Sequence, residues 1–236
     1  MRFSRWGRTG LVLVAFFFLV PDTAVQPALA QSPSAESDRG LTFREAFRFY
    51  RGKAQAGDPK SQFFMGLIYE RGPTGTPDLE KAAFWFEKAA AQGWRDAQYK
   101  MGTAYAQGRG VAQDWTKAAE MYRAAAEQDL PEAQYNIGVL YDQGLGVQRD
   151  HVQAADWYRR AAINGVVPAL RALGSVYLKD EGIAPDRAQA FFWLTLGAAA
   201  GDKQSNELRD MVGAQLTEEE REAALKLLED WQTQGQ

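Results

Sequence analysis

The chain contains no cysteine and a single histidine, His151, in 236 residues. Without thiols there is no disulfide framework and no thiolate nucleophile, and a zinc site built on cysteines or on two histidines is excluded. No serine is followed by a lysine three residues later, so the S-x-x-K nucleophile motif is missing as well. Positive charge is in short supply: 27 Lys and Arg face 30 Asp and Glu, a formal net charge of −3. That balance gives none of the basic footprint that nucleic-acid binding requires. Long apolar runs are lacking too. "LVLVAFFFLV" (residues 11–20) has ten residues, and a helix that spans a bilayer needs about 20.

What the first thirty residues do have is the order of a secretory leader. Arg2, Arg5 and Arg8 make a positive start, the ten-residue apolar core follows, and Ala28-Leu29-Ala30 supplies a small-x-small cleavage site before Gln31. An uncleaved anchor is the other reading of this segment. Cleavage would remove Arg2, Arg5, Arg8 and Asp22, leaving 24 basic and 29 acidic residues and a net charge of −5. The expectation is a mature chain that begins near Gln31, has no membrane span, and is periplasmic or secreted from a bacterium. The polar stretch "QSPSAESDRG" (residues 31–40) reads as a mobile linker.

The rest of the chain repeats. "YAQGRGVAQD" (residues 105–114) returns 36 residues later as "YDQGLGVQRD" (residues 141–150). A phosphate-binding glycine loop is not normally written twice in tandem, whereas a structural repeat is. Aligned at that step, four units follow without a gap: residues 58–93, 94–129, 130–165 and 166–201. Met65-Gly66, Met101-Gly102, Ile137-Gly138 and Leu173-Gly174 coincide, as do Tyr69, Tyr105, Tyr141 and Tyr177. In the second halves Ala82, Ala118, Ala154 and Ala190 coincide, and Phe86, Tyr122, Tyr158 and Leu194 do so four residues further on.

Each half reads as a helix. Ala133, Ile137 and Tyr141 in one, and Ala154, Tyr158 and Ala161 in the other, fall on single helix faces. Gly144 and Gly146 then follow the first helix, where a left-handed residue is wanted, and Asp150 opens the next helix as its N-cap. Glycine inside a helix costs roughly 0.5–1 kcal/mol relative to alanine. The row Gly66, Gly102, Gly138 and Gly174 therefore predicts close approach of paired helices, with the alanine of the second helix opposite and the aromatics a turn away. One unit is too small to bury its own apolar face, so neighbours must stack.

The pattern resembles the Sel-1-like repeat, a 36-residue relative of the tetratricopeptide repeat, and "AQYNIGVLYDQGLGVQRDHVQAADWYRRAAING" follows it closely. The resemblance implies an all-α, right-handed α-solenoid of four helix-turn-helix repeats with N- and C-terminal capping helices. The chain departs from the pattern in the first loop ("RGPTGTPD"), at Asp180 in place of a loop glycine, and at Gly197 in place of an alanine. At the ends, residues 41–57 align with the second half of a unit and read as the N-terminal cap. Residues 202–236 read as C-terminal capping helices. Thr217 and Glu220 form a capping box there, and Ala224, Leu228 and Trp231 share a docking face.

Chemistry is hard to assemble from this inventory. His151 follows the N-cap Asp150 and reads as an exposed first-turn residue. Glu70, Asp96, Glu132 and Asp142 could supply a carboxylate pair at the 5–10 Å spacing of glycosidases, though solvated helix faces carry such charges routinely. No catalytic residue, metal or cofactor is expected. By likeness to tetratricopeptide geometry, the binding surface is a groove lined by five positions of each first helix. Lys60, Phe63, Leu67, Glu70 and Arg71 come from the first unit, and Asp96, Tyr99, Thr103, Ala106 and Gln107 from the second. Glu132, Tyr135, Val139, Asp142 and Gln143 come from the third, and Pro168, Arg171, Ser175, Leu178 and Lys179 from the fourth. Phe63, Tyr99 and Tyr135 make either an aromatic binding ladder or part of the repeat's own packing.

The resemblance thus implies a non-catalytic adaptor that holds another protein or peptide in its groove. Its expected setting is the bacterial envelope, regulating a sensor kinase or scaffolding a complex. A periplasmic hydrolase of cell-wall glycan or peptide, and a purely structural spacer, are the alternatives.

Overall fold

Aspartate starts the second helix of every unit. In the computed structural model, which describes residues 43–72 and 76–234, Asp78, Asp114, Asp150 and Asp186 each accept a hydrogen bond from the N–H three residues on. The same aspartates donate their own N–H to the carbonyls of Tyr69, Tyr105, Tyr141 and Tyr177, at 2.9–3.0 Å. The tyrosine and the aspartate nine residues later therefore close one loop, and this accounts for their shared register. The leader and linker read from the sequence lie outside the described residues.

Eleven helices are formed among the described residues. The cap α1 (Phe43–Gln55) precedes four pairs: α2 (Pro59–Arg71) with α3 (Leu79–Ala90), α4 (Arg95–Gln107) with α5 (Trp115–Ala126), α6 (Pro131–Gln143) with α7 (His151–Ile163), and α8 (Val167–Val176) with α9 (Arg187–Ala199). Then come α10 (Lys203–Gly213) and α11 (Glu218–Gln234). Each helix packs chiefly on its neighbours in the chain, the one-dimensional order of a solenoid. The exception is α11, which passes over α10 to pack on α9.

The glycine pair of the loops has two jobs. Gly144 ends α6 in the left-handed conformation, with φ 70° and ψ 36°, and its N–H reaches the carbonyl of Leu140. Gly146 also has positive φ, at 67°, but a Cβ there would run into the backbone carbonyl of Trp115, at the start of the preceding unit's second helix. So the second glycine lets one repeat's loop lie on the backbone of the repeat before it. In the fourth unit Asp180 replaces the first of these glycines. There α8 stops at Val176, ten residues long against thirteen for the other first helices.

The helical glycines do mark a close approach, but to a different neighbour from the one expected. A Cβ on Gly138 would sit 2.8 Å from the ring of Tyr158, whereas Ala154 contributes only its carbonyl oxygen, at 3.4 Å. The aromatic ring itself occupies the space beside the glycine. The same holds for Gly66 under Phe86 and Gly102 under Tyr122, with Leu194 taking the place of the ring over Gly174.

The apolar core forms clusters that span the repeat boundaries. One cluster joins Phe86 and Ala89 to Ala97 and Met101 of the next unit, and another joins Tyr122 and Ala125 to Ala133 and Ile137. At the N-terminus Tyr50 of α1 stacks on Phe64 of α2, with centroids 4.6 Å apart and planes 18° apart. At the C-terminus Thr217 and Glu220 form the capping box reciprocally, at 2.8 and 3.2 Å, and Ala224 is fully buried.

Candidate protein-binding groove

A first helix touches its own second helix and the second helix of the unit before. That flanking buries almost every mid-helix position: residues 133–140 of α6 are all buried, Gln134 and Asn136 included. The proposed ladder lies within this zone. Phe63, Tyr99 and Tyr135 are 4%, 1% and 5% exposed. Each packs on the aromatic of its own second helix, Phe86, Tyr122 or Tyr158, with centroids 5.7–5.9 Å apart. Burial pushes the hydroxyl pKa of Tyr135 up, and that of Tyr158 up further. The ladder is therefore core, and the packing reading of these three positions is the correct one. Thr103 and Val139 are buried as well, and the Thr103 hydroxyl accepts a bond from Tyr122 at 3.1 Å.

The polar candidates lie toward the helix ends and join across units. Glu70 of α2 pairs with Lys100 of α4 at 3.0 Å, Lys100 being buried. Asp142 of α6 lies 2.8 Å from Nδ1 of His151 and 3.7 Å from the ammonium of Lys179. One guanidinium nitrogen of Arg171 reaches both carboxylate oxygens of Asp202, at 2.9 Å each. For Asp202, burial alone would raise the pKa. The Ser205 hydrogen bonds and the Arg171 charge outweigh it, so the carboxyl stays ionised below its usual range. Lys60, Leu67, Asp96, Glu132 and Ser175 are half-buried. Arg71, Gln107 and Gln143 stay exposed at the last residue of α2, α4 and α6. Leu178 and Lys179 are exposed too, but they lie beyond the shortened α8 rather than on it.

His151 is not an exposed first-turn residue. It is 8% exposed and held on both sides. Its Nε2 lies 3.0 Å from both the Arg149 side chain and the Glu181 carboxylate, and its Nδ1 lies 2.8 Å from Asp142. Glu181 closes the cluster through Arg149 at 2.8 Å. The lone histidine thus ties the end of α6 to the start of α7 and to the next unit's loop. Proximity in sequence to an N-cap gave no sign of this, because Asp142 and Glu181 come from other segments.

A further set of residues escaped the sequence reading. Gln62 donates to the carbonyl of Ala54 in the preceding helix and accepts from Gln92 at 2.7 Å. Gln128 donates to Gln98 at 2.7 Å, and Asn164 to Gln134 at 3.3 Å. The signal was available as amides recurring 30 residues apart. In the fourth unit both members are lost together, to Leu170 and Ala200. There Arg171 and Asp202 make the connection instead.

With this geometry in view, the comparison with known proteins is direct. The Sel1 repeat profile matches residues 59–94, 95–130, 131–166 and 167–202, most of the chain. The chain belongs to the Sel1 repeat family. The structure resembles that of a Sel1 repeat protein from Oxalobacter formigenes, with a TM-score of 0.62 and 28% identity, covering 79% of this chain and 73% of that one. A protective antigen from uropathogenic Escherichia coli with the same type of repeat fold is 29% identical, at a TM-score of 0.47, over 75% of this chain and 46% of that one. Among curated proteins, the chitin synthase regulator SKT5 of Saccharomyces cerevisiae is 40% identical over 62 residues, 26% of this chain and 8% of SKT5. This chain therefore matches only a small part of SKT5. Sel1 repeats are protein-interaction units, and the all-α, right-handed solenoid expected from the sequence is the observed fold. Among the described residues no helix is long and apolar enough to cross a membrane.

Proposed function

We propose that this Sel1 protein is an exported, non-catalytic adaptor of the bacterial envelope that holds a segment of another protein along its first-helix face. The observation that carries the reading is the row Arg71, Gln107 and Gln143. These are long polar side chains, exposed and in register on three successive units, beside the ion pairs of Glu70 and Asp142. A regular row of donors and acceptors suits an extended polar peptide. The buried aromatics make the face stiff rather than adhesive, and rigid presentation lowers the ordering cost of binding. The match to a protein described as a regulator supports a controlling role through binding, toward a sensor kinase or an envelope complex. The leader-like first thirty residues support export.

The test uses the full chain as bait on an envelope extract, beside a Gln107→Glu/Gln143→Glu variant. One stoichiometric partner is expected on the wild type, with its capture reduced about tenfold on the variant at equal thermal stability. Equal capture by the two proteins would remove the first-helix face from consideration. Protein from the envelope fraction should begin near Gln31, and an intact Met1 there would contradict the leader reading.

A further inference from the structure

At one pair of adjacent second-helix positions, a Phe-Trp pair stands in the first and last units only. On α9, Phe192 and Trp193 pack edge to face, with centroids 4.8 Å apart, and both are buried. Their cover is Trp231 of α11, whose ring meets each of them edge-on at 5.9 Å. An ion pair between Arg187 and Glu220, at 3.4 Å, holds the start of α11 to the start of α9. Three repeats earlier, α3 has the same pair in the same positions. Phe84 and Trp85 pack edge to face at 5.2 Å. Here nothing comparable to α11 lies over them among the described residues, and Phe84 is 51% exposed. The units between have Glu120-Met121 and Asp156-Trp157, which present an acid where the pair presents phenylalanine.

We infer that Phe84 and Trp85 form a second docking site, for an acidic amphipathic helix of another protein that carries an aromatic anchor. The chain itself displays the kind of occupant such a pair accepts. Helix α11 has six acidic side chains, Glu218, Glu219, Glu220, Glu222, Glu229 and Asp230, against two basic ones, and it anchors through Trp231. On α3 itself Glu80 and Glu87 are balanced by Lys81 and Lys88, and the helix next to the pair is basic. Trp85 packs on the cluster around Tyr50 and Ala54 of α1, a helix with Arg44, Arg48, Arg51 and Lys53 against one glutamate. The ammonium groups of Lys53 and Lys88 lie over the rings of Phe49 and Phe84 at 4.2 and 4.9 Å, and Phe49 is itself 50% exposed. A half-exposed phenylalanine under an ammonium, beside a helix that is basic overall, matches an acidic helix both in its anchor and in its charge. The site lies on second helices, so its test is independent of the first-helix face.

The probe is a labelled synthetic peptide of residues 216–234, the protein's own acidic, tryptophan-bearing helix, titrated into the full chain and followed by anisotropy. Binding should weaken at least tenfold on Phe84→Ala in the chain, and equally on Trp231→Ala in the peptide. It should also weaken as salt rises from about 50 to 500 mM, because exposed charges are screened. Melting of the Phe84→Ala chain should stay at the wild-type temperature, since the ring is half in solvent. Affinity unchanged by Phe84→Ala overturns the site, because the peptide would then be competing for the α9 pair instead. Sedimentation of the chain alone supplies the remaining arm. A concentration-dependent dimer that Phe84→Ala abolishes would make the occupant a second copy and overturn the assignment to another protein. A monomer at all concentrations supports it.

Discussion

At the scale of single residues, most of the repeat signature is accounted for by contacts between consecutive helices. The glycine of α6 exists because the Tyr158 ring lies on it, and Tyr141 keeps its register because its carbonyl receives the N–H of Asp150. The buried amides follow the same logic with higher stakes. Gln62 is 4% exposed, so its side chain is tolerable only while both ends are satisfied. Gln92→Ala removes the donor to its oxygen and should cost about 1–3 kcal/mol, the range for an orphaned buried polar group. Gln62→Leu added to Gln92→Ala reproduces the pairing of Leu170 and Ala200 in the last repeat, so the double variant should recover much of that loss. Urea denaturation of the two single variants and the double variant gives the coupling energy. Additive losses would show that the two amides act separately.

Helices and loops were legible to different degrees. Asp150 as an N-cap, Gly144 as a left-handed terminator and the Thr217–Glu220 box could all be read from the sequence, because capping is local chemistry within four residues. The openness of the first helices could not. Tetratricopeptide-like positions placed Phe63, Tyr99 and Tyr135 in a groove, yet α6 is buried on all sides from residue 133 to 140. A helix wrapped all round has no polar stripe to betray which face is out. "AQYNIGVL" has none. Burial of His151 was invisible for a related reason: Asp142 and Glu181 reach it from the preceding helix and from the next unit's loop. The loops give a sharper test of how units meet. Alanine at Gly144 meets the left-handed penalty of roughly 1–2 kcal/mol. At Gly146 the same penalty is joined by collision with the Trp115 carbonyl of the preceding unit. Gly146→Ala should therefore lower the denaturant midpoint more than Gly144→Ala. Equal effects would mean that the loop is not seated on its neighbour.

At the scale of the whole molecule, stability in a solenoid is a sum over neighbouring contacts, and the ends have one neighbour fewer. The C-terminal end is joined to the last repeat by Asp202, which caps α10, accepts from the Ser205 hydroxyl and pairs with Arg171. Gly197, where the other repeats have alanine, makes the room into which Ser205 packs. Because the Asp202 carboxyl is lowered in the folded state, the sign of its pH dependence follows. Its contribution is fully present above the unfolded carboxylate value of about 3.9, and it is lost as pH falls through the lower folded value. Asp202→Asn keeps a side-chain oxygen for the cap but gives up the charge. At pH 7 amide exchange in α10 and α11 should be faster in this variant than in wild type, with exchange in α4 and α5 unchanged. Below about pH 4 the difference between the two proteins should shrink, since wild type then loses the same charge. A difference that held constant from pH 7 to pH 3 would assign the junction to packing around Ser205 and Gly197, not to the ion pair.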